Sequence, residues 1–407
     1  GSLHAVSCWI HPGPLALTGK TANAPPPAHR LFPRRPQASH GWPPNRCQPA
    51  ECCTASQGFS MRIAALVFAA SALCALPAQS QISASRRPVF HKGFSYASWT
   101  ADGYDSDTSD AQLAALKEGG VEWVAIVTHW LQASRSATEL APHPRWTPTD
   151  ASLLRAIRHA HRLGMKVFLK PQVDFDGPGW RGEIAHESER AWKDWFASYR
   201  RFIGHYARLA ARERVAMLCV GVELDGTRHR EAEWRETIRQ VRSLYRGPLT
   251  YATNWNSELD ITWWDALDYV GVDAYYPLVE RPGCTVEELK TAWNRHRDRL
   301  RQLHRKTGRP ILFTEIGYRS TDQAAILPWE WEKPAAVSLE EQARLYQATL
   351  ETFWDEPWFA GAFWWLWEVK PPDDPRRDSG YTPQGKPAWD VLRAYYARPR
   401  AAPGPAR

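Results

Sequence analysis

From about residue 90 onward the sequence predicts an α/β fold, a single-domain (β/α)8 TIM barrel. Three observations carry that expectation. Eight short apolar runs alternate with amphipathic stretches, the pattern of a parallel sheet with crossover helices. A segment of about 310 residues is a comfortable length for eight strand–helix units. The fourth and seventh runs each close on a single carboxylate, at the strand ends where such barrels gather their polar groups.

The elements follow in order. The first run spans 90–98, and Ser109-Asp110 is expected to cap a helix that ends at Gly119-Gly120. The second run, 121–130, is followed by Thr149-Asp150 ahead of Leu153, Leu154 and Ile157, with Gly164 closing that helix. The third run, 166–175, opens into a loop from Asp174 to Trp180 whose Gly177, Pro178 and Gly179 predict a rigid segment over the barrel mouth. Runs four to six span 216–224, 248–255 and 269–277; the fifth crossover is so short that its helix must be small. After the seventh run, 310–318, Ser338 and Glu341 have capping-box spacing before a helix to about Thr352, and the eighth run covers 359–368. The barrel domain is therefore placed at 88–397, with a Pro/Ala/Arg-rich tail at 398–407 expected to fray.

The first 80 residues do not belong to the barrel. Residues 1–60 hold ten of the 32 prolines and no sustained apolar periodicity. Met61-Arg62, an apolar run from Ile63 to Leu76 and then Pro77-Ala78-Gln79-Ser80 have the layout of a secretory signal peptide, 61–80, and the run is too short to span a bilayer stably. The expectation is translation from Met61, export to a secreted or periplasmic location, and an upstream segment that is disordered or not translated. Five of seven cysteines lie in residues 1–80, leaving Cys219 and Cys284, of which Cys219 sits in an apolar run that favours a buried free thiol.

Charge excludes one class of partner. The formal net charge is +7, but residues 1–80 contribute Lys20, Arg30, Arg34, Arg35, Arg46 and Arg62 against Glu51 alone. The remainder is too nearly neutral to track a nucleic-acid backbone. Tryptophan stands out instead, with 22 in the chain, 20 of them between Trp99 and Trp389. Flat indole faces suit the apolar face of a sugar ring, so an oligo- or polysaccharide partner is expected. A metal-dependent hydrolase is disfavoured because the first strand offers only His91, and no P-loop, dinucleotide fingerprint or Ser–His–Asp order falls at a strand end. No cofactor is expected, and the protein is read as a monomer.

The chemistry-bearing residues are those that close the strands. The fourth run reads Cys219-Val220-Gly221-Val222-Glu223-Leu224, the seventh Phe313-Thr314-Glu315-Ile316-Gly317-Tyr318. A lone carboxylate ending an apolar strand is costly to bury, and two of them, three strands apart around an eight-strand ring, can face each other across the mouth. A retaining glycosidase needs two carboxyl groups about 5 to 5.5 Å apart, one a nucleophile and one an acid that later serves as base. Trp99, Trp130, Lys170, Gln172, Asp174 and Trp255 also close strands and are candidate sugar contacts, and Trp365 and Trp367 share one face of the eighth run by alternation. Trp329-Glu330-Trp331 is a further candidate platform.

Over 90–396 these residues resemble glycoside hydrolase family 113, a β-mannanase family of clan A, the retaining (β/α)8 glycosidases. The matching stretches are Gly221-Val222-Glu223-Leu224, Tyr251-Ala252-Thr253-Asn254-Trp255, Gly271-Val272-Asp273-Ala274-Tyr275-Tyr276-Pro277, Phe313-Thr314-Glu315-Ile316-Gly317-Tyr318 and Phe363-Trp364-Trp365-Leu366-Trp367. The resemblance implies Glu223 as acid/base and Glu315 as nucleophile, with endo-β-1,4-mannan cleavage by double displacement. It implies that Tyr275, or its neighbour Tyr276, hydrogen-bonds the nucleophile. The chain departs from the clan at Val222, where many members carry an Asn that contacts the sugar 2-hydroxyl; Asn254 is the expected substitute. Another β-linked polysaccharide, glucan or exopolysaccharide, would use the same two carboxylates. A non-catalytic carbohydrate-binding barrel is the rival from a different class, disfavoured because binding alone needs no such pair.

Overall fold

The computed structural model describes residues 89–399. The leader expected at 61–80, the segment before it and the tail from residue 400 lie outside the described residues. Eight parallel strands, each hydrogen-bonded to the next and the last to the first, close a barrel in the order β1 to β8. They are β1 His91–Ala97, β2 Trp123–Gln132, β3 Lys166–Phe175, β4 Met217–Val222, β5 Leu249–Asn254, β6 Val270–Asp273, β7 Ile311–Ile316 and β8 Phe359–Glu368.

Among the described residues seven α-helices surround the barrel, and all but the fourth, which has no side-chain cap, have a local reason to start where they do. In α1, Asp107–Glu118, the cap is Ser106, whose side chain accepts from the Ser109 N–H. The expected cap, Ser109, lies one turn inside, buried, with its hydroxyl on the Tyr96 hydroxyl at 2.7 Å. Thr149 caps α2, Asp150–Arg162, and Gly164 follows at φ +73°. Ser188 caps the long α3, Glu189–Arg212, and α4 runs Glu231–Leu244. The short crossover between β5 and β6 carries only a single 3-10 turn, Trp264–Ala266. Thr285 and Glu288 form a reciprocal capping box on α5, Val286–Thr307. Ser338 caps α6, Leu339–Phe353, by accepting from the Glu341 N–H, while the Glu341 carboxylate pairs with Arg344 at 2.5 Å. A proline at the first position opens α7, Pro387–Tyr396.

Packing separates into three layers, and this explains most of the tryptophan. The barrel floor is filled by Trp123, Phe168, Met217, Cys219, Leu312 and Phe363. Above it, Val127, Tyr275, Trp365, Leu366 and Tyr381 form an apolar layer beneath the mouth. The largest layer lies between barrel and helices, where Trp195, Trp234, Trp263, Trp293 and Trp364 are fully buried. Several find partners for their indole N–H there: Trp195 donates to Gln132 at 2.9 Å and Trp293 to Thr349 at 3.2 Å. Core packing thus claims more of these residues than their number suggested. Cys219 and Cys284 are both free and buried. Among the described residues no helix is long and apolar enough to cross a membrane.

Candidate active site

Alternation along β3 turns Phe168, Lys170, Gln172 and Asp174 toward the barrel axis, stacked from floor to mouth. Three other strands break their alternation at the same end. Between Cys219 and Val222, β4 takes three steps against two on β5. From Phe313 to Ile316, β7 takes three against two on β8, and from Trp364 to Trp367, β8 takes three against two on β1. Each is a bulge, the device by which a strand re-aims a side chain beside a site. The extra residue in β7 brings both Thr314 and Glu315 inward. The one in β8 sends Trp365 and Leu366 into the layer under the mouth and Trp367 out to the helices. At the end of β4, Glu223 sits at φ +51°, a left-handed conformation that is costly for a non-glycine residue.

Glu315 is gripped on both oxygens. Its Oε1 accepts from the Lys170 ammonium at 2.5 Å and its Oε2 from the Tyr275 hydroxyl at 2.8 Å. Lys170 also donates to Asp273, at 3.2 and 3.4 Å, and the Thr314 hydroxyl donates to the same carboxylate at 2.8 Å. Burial works against the lysine charge, but Asp273 and Glu315 outweigh it and hold the ammonium above its usual range. Asp273 is pushed well above the ordinary carboxylate range, by burial first and by the negative charge of Glu315 next.

Glu223 is held differently. Both of its donors go to one oxygen, Oε2: the Arg181 guanidinium at 3.2 Å and the Trp180 indole N–H at 3.5 Å. Arg181 is anchored by Asp174, which accepts from its Nε at 3.0 Å, and by Gln172 at 3.1 Å. Burial raises the Glu223 carboxyl above its ordinary value; Arg181 opposes that rise and the facing charge of Glu315 adds to it. The loop that delivers Trp180 and Arg181 needs its glycines: Gly179 is at φ +129°, and a Cβ there would lie 2.6 Å from the Phe175 ring.

The remaining candidates divide. Tyr275, not Tyr276, faces Glu315; Tyr276 turns outward, donating to Glu258 at 3.2 Å and lying against His296. Trp365 lines the mouth, but Trp130 packs on Phe202, His205 and Tyr206 of α3, and Trp367 packs on Phe94 and Trp389 while donating to Gln112. Trp130, Tyr276 and Trp367 are therefore not at the mouth; strand parity, altered in β8 by its bulge, carries them to the helix side. Trp99 leans on His129 at the rim, and Trp255 stacks on the exposed Trp329 at 5.3 Å. Trp331 packs on the layer under the mouth, so the loop after β7 does reach the rim. Asn254 lies against Asp225, whose carboxyl burial raises and the amide counteracts. Lys170 has no exposed surface and spends its donors on carboxylates. Arg181 and Asp273 escaped the sequence reading. Arg181 follows the strand in a loop, where no periodicity marks it.

Two kinds of comparison place the chain among known proteins. The sequence model of Glycoside Hydrolase Family 113 matches residues 93–386. A solved structure of a GH113 β-1,4-mannanase complex is 31% identical, covering 76% of this chain and 100% of its own, with a TM-score of 0.71. The GH113 β-mannanase AaManA from Alicyclobacillus acidocaldarius, in complex with ManMIm, is 33% identical over 76% of this chain and 97% of its own, at a TM-score of 0.70. A β-glucuronidase from Ruminococcus gnavus, 15% identical over 76% of this chain and 50% of its own with a TM-score of 0.53, shares the fold alone. No curated protein matches by sequence. A match spanning most of the barrel, with relatives above 30% identity along their full length, places this chain in glycoside hydrolase family 113, as a (β/α)8 glycoside hydrolase.

Proposed function

We propose that this protein is an exported endo-β-1,4-mannanase that works by double displacement, with Glu315 as nucleophile and Glu223 as acid/base. The observation that carries the assignment is the contrast between the two carboxylates. Glu315 accepts from a fixed ammonium on one oxygen and a tyrosine hydroxyl on the other, which fixes the direction of its carboxylate. Glu223 is raised by burial and faces a second negative charge, which favours holding a proton. Glu315 attacks the anomeric carbon while Glu223 protonates the departing oxygen; water then attacks the glycosyl–enzyme as Glu223 takes its proton. The rim indoles Trp99, Trp180 and Trp255, with Trp365 in the layer beneath them, offer faces to the sugar rings. Mannan is supported by the β-1,4-mannanase relatives, and export by the leader pattern from Met61.

The test is reducing-end release from a β-1,4-mannan by the purified protein, with Glu315→Ala beside it. Release by the first and none by the second is expected. Release from another β-glycan but not from mannan would keep the chemistry and replace the substrate. N-terminal sequencing of the protein recovered from its producing cells should begin near residue 81 if the leader is removed.

A further inference from the structure

We propose that Lys170 is a positioning residue for the nucleophile: its ammonium, clamped between Glu315 and Asp273, holds Glu315 as a carboxylate and stabilises that carboxylate again as it leaves the sugar. The inference deepens the reading above and rests on Glu315 being the nucleophile.

A lysine closing an inward-facing strand reads from sequence as a sugar contact, and its surroundings oppose that reading. Lys170 is 0% exposed, as is Asp273. Its three donors are committed to Glu315 Oε1 at 2.5 Å and to Asp273 at 3.2 and 3.4 Å. Asp273 is in turn fixed by the Thr314 hydroxyl, presented by the same β7 bulge that presents Glu315. The ammonium therefore cannot swing toward a substrate without abandoning two buried carboxylates, each costly to leave unpaired. The charged and titratable groups around the pair come from every neighbouring strand. Arg181 follows β3, Cys219 and Glu223 come from β4 and its end, Asp273 and Tyr275 from β6 and its end, and Tyr381 packs on Tyr275. Lys170 is the cation that meets both Glu315 and Asp273.

The chemistry makes use of a fixed positive charge twice. In the first step a Glu315 oxygen bonds the anomeric carbon, the glycosidic C–O bond breaks, and the Glu223 proton goes to the leaving oxygen. In the second, a water oxygen bonds that carbon and the bond to Glu315 breaks with its electron pair returning to the carboxylate. The water proton goes to Glu223. Lys170 keeps its protons throughout; it favours the anion at the start and at the departure.

The experiment compares wild type, Lys170→Met, Lys170→Gln and Glu315→Ala on an aryl β-mannoside with a good leaving group, following kcat and KM across pH. For Lys170→Met the acidic limb of the kcat/KM profile should move to higher pH by about one unit or more, and kcat at neutral pH should fall at least about tenfold. KM should stay within about threefold, because Lys170 does not touch sugar. Lys170→Gln retains donors to both carboxylates and covers the case in which the methionine variant does not fold; the same upward shift is expected. An unmoved acidic limb in a folded variant overturns the proposal, and a rise in KM alone would return Lys170 to sugar binding. Turnover by Glu315→Ala would instead overturn the nucleophile assignment on which the inference rests.

Discussion

The two sides of the barrel mouth hold their carboxylates by opposite means. On the β6–β7 side, Glu315 extends from a strand and is pinned at both oxygens by side chains that are themselves buried: Lys170 and Tyr275. On the β3–β4 side, Glu223 stands just past the strand end in a left-handed conformation, and its two donors arrive from a glycine-bearing loop onto a single oxygen. Its side chain is 17% exposed and Trp180 is 37% exposed. The difference matches the tasks. A nucleophile must keep one direction, and buried partners on both oxygens fix it. An acid/base must gain and lose a proton each cycle, which asks for one free oxygen and access to water.

That contrast can be broken or sharpened by substitution. The largest effect is expected at the pinned side: Glu315→Ala should lose at least about a thousandfold in kcat on every substrate, on the order of 4 kcal/mol of barrel-mouth chemistry. At the proton-carrying side, Glu223→Ala should lose about 10² to 10⁴ on mannan. On an aryl glycoside whose leaving group needs no proton, its first step should be spared. Equal losses on both substrates would remove Glu223 from the acid role.

A smaller and more specific effect is expected from Arg181→Gln. Burial raises the Glu223 carboxyl and the guanidinium opposes that rise, so removing the cation tightens the proton further. The alkaline limb of kcat/KM should therefore move to higher pH, whereas an unmoved or lowered limb would detach Arg181 from Glu223. The smallest effect on catalysis is expected outside the mouth altogether. Trp130→Phe should leave KM within about twofold while lowering stability by about 1 to 2 kcal/mol, measured by denaturant unfolding, because Trp130 packs on α3. A large rise in KM there would place Trp130 back among the sugar contacts.

Much of the fold was legible along the chain because it is built from local rules. Strands β3 and β8 fall within the apolar runs that announced them, and the caps at Thr149 and Ser338 are the residues their spacing indicated. The cap of α1 was misplaced by three residues, since Ser106 and Ser109 both satisfy a local pattern and only the Tyr96 hydroxyl decides between them. At the mouth, Glu223 and Glu315 were readable as carboxylates closing apolar strands, whereas Tyr275 was implied only by the family resemblance, with Tyr276 as its alternative. Trp130, read as closing its strand, Trp367, read by alternation, and Tyr276, the alternative to Tyr275, all point elsewhere.

What the amino-acid order settled by itself is what depends on neighbours in the chain: periodicity, strand count, helix starts, and the presence of one carboxylate at the end of each of two runs. Tertiary structure alone decided which way those ends face. A bulge is defined by a partner strand, so the extra residues in β4, β7 and β8 leave no mark on any one of them. The same holds for the ions. Lys170 meets Asp273 and Glu315 across separations of 103 and 145 residues, and Arg181 meets Glu223 across 42. Those charges become partners, rather than sugar contacts or surface groups, only when barrel closure brings three strands to within hydrogen-bond reach in a space that excludes water.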